Sequence, residues 1–151
     1  MIELIDEAFF GPSWHGPALL VSLRAVNPEQ AAWRPGDDRH NIWEIAVHAA
    51  YWKYIARRRL SDRRERFPLK GSNWFVRPAE DRTWKEDVKL LVDQHELLRD
   101  VVRDMPPSAL TRVLGRPPRT MGYLIRGVAA HDLYHTGQIQ LLKRLHSGDS
   151  E

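Results

Sequence analysis

Residues 120–146, TMGYLIRGVAAHDLYHTGQIQLLKRLH, decide the fold class. Apolar side chains return every three or four positions, as at Leu124, Val128, Ile139 and Leu142. This is the period of an α-helix with one buried face, and it differs from the period of two that a strand shows. We predict a helix from near Thr120 to about His146.

Three more segments have the same period and are separated by clusters of proline and glycine. The first begins near Gly16-Pro17 and stops before Asn27-Pro28. The second opens with Asn41 as N-cap and Glu44 three residues later, and runs to about Arg59.

The third segment opens with Thr83 and Glu86, a second capping-box pattern, and ends before Pro106-Pro107. The fold prediction is therefore all-α, with four long helices. Between the first two helices, residues 27–39 form a connector with room for a short helical piece at 29–33. Between the second and third, residues 61–81 form a long linker whose aromatic side chains, Phe67, Trp74 and Phe75, are expected to be exposed. In a helix bundle, such a long connection can join parallel neighbours.

The composition is that of an ordinary globular protein. The chain has 151 residues, 42% of them hydrophobic and 28% charged, which predicts a single domain over residues 1–151. It has no cysteine, so disulfides, thiolate catalysis and cysteine metal sites are excluded. Residues 1–10 lack the basic start and the long apolar core of a secretion signal, and no apolar run approaches the roughly 18 residues that span a bilayer. We expect a cytoplasmic protein with no membrane partner.

A net charge of +3 raises the question of nucleic-acid binding. The densest basic run contains Arg57-Arg58-Arg59, Arg63-Arg64 and Arg66, and two acidic residues interrupt it. Cations at the end of a helix also offset its dipole. We interpret the run as a solvated helix end and disfavour a nucleic-acid partner.

Three histidines fall on the predicted buried faces. His131 and His135 are four residues apart, so on a helix their Cβ atoms lie about 6 Å apart on one side. His48 interrupts an apolar row that contains Ile45, Ala49 and Trp52. Buried imidazoles must be hydrogen-bonded or bind a metal. The spacing leaves both options open, and a three-histidine metal site would keep a free coordination position.

The other histidines are harder to assign. His95 lies on the apolar stripe of the third helix, where a core role is favoured over a fourth ligand or a partner of the ligands. His15 stands at the head of the first predicted helix, where it would approach the site or form a cap. His40 and His146 have no assignment from spacing.

The segments His40-Asn41-Ile42-Trp43-Glu44-Ile45-Ala46-Val47-His48 and 130–139 (AHDLYHTGQI) resemble the DinB-like (YfiT-like) family of metalloenzymes. The resemblance covers nearly the whole chain. It implies a four-helix bundle of up-down-down-up order, with the long crossover between helices 2 and 3, and a homodimer. It also implies that His48, His131 and His135 bind a divalent metal ion, nickel or zinc.

The resemblance implies a metal-dependent enzyme acting on a small-molecule substrate. A transferase that uses a low-molecular-weight thiol and a hydrolase are both open, and the catalytic residues are unknown. The alternative is a non-catalytic metal-binding stress-response or interaction module. Glu44 is a candidate base whose capping role is favoured, and Asp132 is expected to face away from His131. The candidates for an aromatic wall are Trp14, Trp43, Tyr51, Trp52 and Tyr134.

Overall fold

Three of the four periodic segments form long helices, as a computed structural model shows for residues 1–148, with the side chain of Asp81 not described. In chain order the elements are α1 (Ile2–Phe9), α2 (Leu19–Ser22), α3 (Pro28–Ala32), α4 (Ile42–Leu60), α5 (Asp81–Arg103), a 3₁₀ turn (Pro107–Thr111), β1 (Val113–Leu114), β2 (Arg119–Thr120) and α6 (Met121–Ser147). The all-α class is confirmed. No helix in the described part of the chain is both long enough and apolar enough to cross a membrane.

Side-chain caps set the beginnings of the two helices that carry the candidate ligands. The Asn41 side chain accepts a hydrogen bond from the backbone N–H of Glu44 at 2.8 Å, as predicted. At the start of α6, the Thr120 hydroxyl accepts from the N–H of Tyr123 at 3.1 Å. Each cap satisfies a donor that the first helical turn leaves free.

The first predicted helix is wrong in position and length. Its stretch contains only the four-residue α2, and the unpredicted α1 precedes it. Gly11 and Gly16 adopt φ values of +75° and +129°, so the chain between α1 and α2 leaves the helical region. Beyond α2, Ala25 at φ +59° prevents continuation to residue 27. The amphipathic α1 buries Ile5, Ala8 and Phe9.

The predicted cap of α5 is also wrong. The helix begins at Asp81 with Glu80 as N-cap, and Trp84 N–H donates to the Glu80 carbonyl at 2.9 Å. Glu86 pairs with Arg82 one turn earlier instead of reaching back to a cap. The capping-box pattern of Thr83 and Glu86 therefore lies inside the helix and does not mark its start.

A two-stranded hairpin was not predicted. Val113 pairs with Thr120 and Leu114 with Arg119, in antiparallel order. Strands of two residues are too short to show an alternating pattern in the sequence.

α4 and α5 run in the same direction. Near their beginnings, Trp43 Nε1 donates to Asp87 Oδ2 at 2.7 Å. Near their ends, Leu60 and Leu98 belong to one apolar cluster. Residues 61–80 make the long connection that this arrangement requires. The full up-down-down-up order of four helices stays a prediction, because the two short helices α1 and α2 stand in place of the first long helix.

The aromatic residues of this connection are not exposed, contrary to expectation. Phe75 is buried and Phe67 is half-buried, and the two rings pack on each other and on Tyr51. Trp74 is half-buried against two histidines. The connection therefore covers α4.

The basic run at the end of α4 is solvated only in part. Arg58, Arg59 and the three linker arginines of the run, Arg63, Arg64 and Arg66, are exposed. Arg57 is buried and forms an ion pair with Glu65 at 3.1 Å. The positive charge of Arg57 is therefore neutralised by a residue of the same protein.

A buried ion pair joins α4 to α6. Lys53 Nζ donates a short hydrogen bond to Asp132 Oδ2, and both side chains are almost completely buried. Burial lowers the pKa of Lys53 and raises the pKa of Asp132, while the opposite charge of each partner counteracts the shift. The Lys53 ammonium also lies 4.7 Å from the centre of the Phe9 ring on α1.

We expect Lys53→Met to lower the free energy of unfolding by about 3–5 kcal/mol, because it leaves Asp132 buried without its partner. Lys53→Met combined with Asp132→Leu should recover most of the loss. Urea unfolding of the two variants measures both effects. Equal destabilisation by the single and the double variant would contradict this role of the pair.

Candidate metal centre

Three histidine side chains from α4 and α6 meet at one point. His48, His131 and His135 each offer a ring nitrogen, and these atoms lie within 4.8 Å of one another. His131 Nε2 is 3.1 Å from His48 Nε2 and 3.0 Å from His135 Nε2. The spacing of the histidines predicted that they lie on the buried faces of two helices. The packing of α4 against α6 brings these two faces together.

The long connection after α4 orients the His48 ring. His48 Nδ1 lies 2.9 Å from the backbone carbonyl oxygen of Asn73. Asn73 adopts φ +64°, a left-handed conformation that asparagine tolerates better than most residues. Its side-chain oxygen accepts from Trp52 Nε1 at 2.9 Å, which fastens this turn to α4. His48 Nε2 is thereby directed toward α6.

A neighbour on its own helix orients His135. Its Nδ1 lies 2.6 Å from Gln138 Oε1, and Gln138 Nε2 donates to the Tyr134 hydroxyl at 3.2 Å. Residues three apart lie on the same side of a helix, so Gln138 can reach the ring. The Gln138 side-chain amide thus accepts a hydrogen bond from His135 on its oxygen and donates one to Tyr134 from its nitrogen.

These partners determine where the protons lie. A carbonyl oxygen and an amide oxygen can only accept, so Nδ1 of His48 and of His135 must carry the hydrogen. In the neutral rings, both Nε2 atoms then present lone pairs. A neutral His131 could donate from Nε2 to only one of them, which leaves at least one lone pair without a donor and close to another ring nitrogen. A cation at the centre would satisfy this lone pair.

The distances fit a divalent ion. Two nitrogens that each lie about 2.0–2.1 Å from zinc in a tetrahedral site are about 3.3 Å apart. The two Nε2 separations of 3.1 and 3.0 Å are close to that value. Hydrogen bonds to the second ring nitrogen are also the usual support of a metal-binding histidine. The residues present therefore fit a metal ion.

The histidines are neutral at physiological pH. Burial, together with the charge of a neighbouring histidine, lowers the pKa of His48 to about 4 and that of His131 to about 3. Burial likewise lowers the pKa of His135. A metal ion binds the neutral imidazole, so no proton has to be displaced at pH 7.

A family model of the DinB superfamily matches residues 14–139. The chain belongs to the DinB superfamily. No curated protein and no solved structure gave a significant match. Membership agrees with the helical fold and with a site where three histidines could hold an ion, and it does not define a reaction.

A second layer of aromatic and charged groups surrounds the site in this DinB-superfamily chain. The Trp74 ring is stacked between His48 and His40, with centroid distances of 3.8 and 3.5 Å. His40 Nδ1 lies 2.9 Å from Glu44 Oε2. Arg34 binds the same carboxylate with two nitrogens. His40, which spacing could not assign, therefore supports the wall of the site.

Glu44 is occupied by these contacts. Burial alone would raise the pKa of its carboxyl, but the hydrogen bonds from Arg34 and His40 lower it overall. A carboxylate held in this way is a weak base. Asn41 caps the backbone N–H of Glu44, but the Glu44 carboxylate binds Arg34 and His40 instead of reaching back to the cap, so the reciprocal half of the predicted capping box is not confirmed.

His95 lies in the core, which was the favoured interpretation. It is completely buried, stacked on Phe9 at 3.9 Å, and its Nε2 lies 3.3 Å from Asp6 Oδ1. Burial lowers its pKa to about 3. It is not in the three-histidine group found among the described residues.

The remaining histidines also lie outside that group. His15 is exposed in the turn before α2. His146 packs edge-on against Trp33 at 5.4 Å. Neither supplies a ligand atom to the cluster.

Two of the five candidate wall residues border the site. The Trp52 ring lies 6.2 Å from that of His131, and the Tyr134 ring lies 5.1 Å from that of His135. Trp14 is 96% exposed, whereas Trp43 is buried against Trp84. Tyr51 packs on the linker phenylalanines. Asp132 faces away from the cluster and toward Lys53, as expected.

Sequence reasoning missed the supports of the ligands. Gln138 stands three residues after His135, and that spacing could have identified it. Asn73 and Trp74 had no such signal, because their roles depend on how the long connection folds back over α4.

The lowered histidine pKa values predict that acid destabilises the metal-free protein. His48 and His131 titrate near 6.5 when unfolded but only near 4 and 3 when folded, so the unfolded chain binds protons first. Their stabilisation is complete above pH 6.5 and is lost as the pH falls toward 4. At pH 5.5 each should contribute a loss on the order of 1 kcal/mol.

Urea unfolding of the metal-free protein at pH 7.5 and 5.5 measures this loss. His131→Gln should reduce the difference between the two pH values, whereas His15→Gln, at an exposed position, should leave it unchanged. An identical pH dependence in wild type and His131→Gln would contradict the assignment.

Proposed function

We propose that this chain is a metal-dependent enzyme in which His48, His131 and His135 hold one divalent ion and leave a coordination position for a small-molecule substrate. The observation that carries the proposal is the convergence of three Nε2 atoms, two of them on rings whose Nδ1 lies within hydrogen-bond distance of an acceptor oxygen on the far side. This is the arrangement that a bound ion needs, and hydrogen bonding within the core does not require it.

An open position favours catalysis over a purely structural role. Structural zinc sites are closed by four protein ligands, whereas catalytic sites have three and keep one position for water or substrate. Among the described residues, the cluster has three members. His131, which is half-buried, also lines a cavity of about 140 Å³ between α4 and α6. A substrate could approach the site through it.

The donor set limits the ion and the chemistry. Three imidazoles suit zinc or nickel, and also copper or iron. When bound, a divalent ion would act as a Lewis acid that lowers the pKa of a water or thiol in the open position. Since the chain has no cysteine, the thiol of a transferase reaction would have to come from a low-molecular-weight cosubstrate. A hydrolase would use water instead.

The chain's own residues hold and orient the ligands. Asn73 and Gln138 keep protons on Nδ1 of His48 and His135, and Trp74 covers the His48 ring. Glu44 is engaged by Arg34 and His40, so we assign no general base to it. The non-catalytic module stays the alternative, and a homodimer stays a prediction.

We expect purified wild-type protein to bind about one zinc or nickel ion per chain. His131→Ala and His135→Ala should each abolish tight binding, because only two imidazoles are left to hold the ion. His15→Ala is the matched control and should bind as wild type does. Metal analysis after supplementation and dialysis measures the content.

A separate variant tests whether the hydrogen bond between Gln138 and His135 supports metal binding. Gln138→Leu should weaken metal affinity about 10–100-fold, because His135 Nδ1 loses its acceptor. Gln140→Leu on the same helix is the control. A metal-free wild-type protein after supplementation, or equal metal content in wild type and His131→Ala, would contradict the proposed function.

A further inference from the structure

The cavity beside His131 is apolar along its walls. It lies between α4, which contributes Trp52, Ile55 and Ala56, and α6, which contributes Leu124 and Val128. Trp52 and His131 are at one end, with ring centres 6.2 Å apart. At the other end are Arg59, seven residues after Trp52 on α4, and Tyr123, eight residues before His131 on α6.

The far end of this cavity is basic. Arg59, Tyr123 and Leu124 also line a second cavity of about 510 Å³, which continues under the β1–β2 hairpin and adds Arg116 and Arg119. The Arg119 guanidinium lies 5.1 Å from the centre of the Tyr123 ring. No carboxylate among the described residues lines either cavity or pairs with Arg59 or Arg116.

We propose that the two cavities bind a small organic acid whose apolar body lies along α4 and α6, whose anionic group is bound by Arg59 with Arg116 and Arg119, and whose reacting end reaches His131. Arginine without a carboxylate partner is well suited to bind an anionic oxygen pair. The apolar walls supply burial for the body of the molecule.

The helix geometry sets the length of the ligand. Seven residues separate Trp52 from Arg59 on α4, and seven separate Leu124 from His131 on α6. At 1.5 Å per residue this is roughly 10 Å. The anionic group and the reacting group of the substrate are therefore about that far apart.

The substrate class rests on the proposed function, but its binding can be tested without the metal. Octanoate is a suitable probe because it has an apolar body of this length and one carboxylate. 1-Octanol is its neutral counterpart. Titration calorimetry on metal-free protein measures the affinity for both probes. The test of anion binding therefore does not depend on metal binding, and a negative result in one test does not affect the interpretation of the other.

We expect metal-free wild type to bind octanoate at least tenfold more tightly than 1-octanol, and added salt should weaken octanoate binding only. Arg59→Gln should lower octanoate affinity about tenfold and leave 1-octanol binding unchanged. Arg63→Gln, which removes an exposed arginine that lines neither cavity, is the control and should bind both probes as wild type does.

A cavity-filling variant tests the location. Gly127 is exposed on α6 at the wall of the cavity, and a Cβ there meets nothing within 4 Å. Gly127→Leu should favour the helix and abolish binding of both probes by occupying the space. Gly137→Leu, at an equally open glycine of α6 that does not line the cavity, should keep wild-type binding.

Three results with wild type and the arginine variants would overturn the proposal. They are the absence of octanoate binding to wild type, equal affinity for octanoate and 1-octanol, and equal effects of Arg59→Gln and Arg63→Gln. Retention of both probes by Gly127→Leu would place the binding elsewhere and would contradict the proposal as well.

Discussion

The packing of α4 against α6 is the constraint on which the rest of the structure depends. The buried pair Lys53 and Asp132 joins the two helices, and the histidines that meet, His48 and His131, lie within about one and a half turns of it along their helices. A slip of either helix would separate the ion pair and the imidazoles together. The same contact forms the cavity between Trp52 and Arg59, so the site and its access share one structural cause.

Hydrogen bonds behind the rings give the site its chemical character. Three buried imidazoles alone could satisfy one another in part, as core residues do. The Asn73 carbonyl and the Gln138 amide oxygen limit this, because they accept hydrogen bonds from Nδ1–H of His48 and His135 and leave both Nε2 atoms as acceptors. His131 could donate to only one of the two, and a cation would satisfy the lone pair that remains. Burial keeps the rings neutral, so the lone pairs are available at neutral pH.

The sequence predicted what depends on periodicity and missed what depends on distant contacts. The approximate α4 and α6 boundaries and the inward face of the three histidines followed from spacing, with the cap at Asn41 for α4 and a start predicted near Thr120 for α6. The prediction of the first long helix was wrong because glycines with positive φ interrupt that part of the chain. The prediction of Thr83 as a helix cap was wrong because a capping pattern also occurs inside helices. Trp74 was expected in solvent, since nothing local shows that its loop folds over His48.

The most direct measurement is an anomalous-scattering map from a crystal of the protein loaded with nickel or zinc. The account predicts one peak about 2.0–2.2 Å from Nε2 of each of His48, His131 and His135, with a non-protein ligand on the side of the cavity. A peak bound through Nδ1 atoms, a sphere closed by a fourth side chain, or no peak at this point would contradict it.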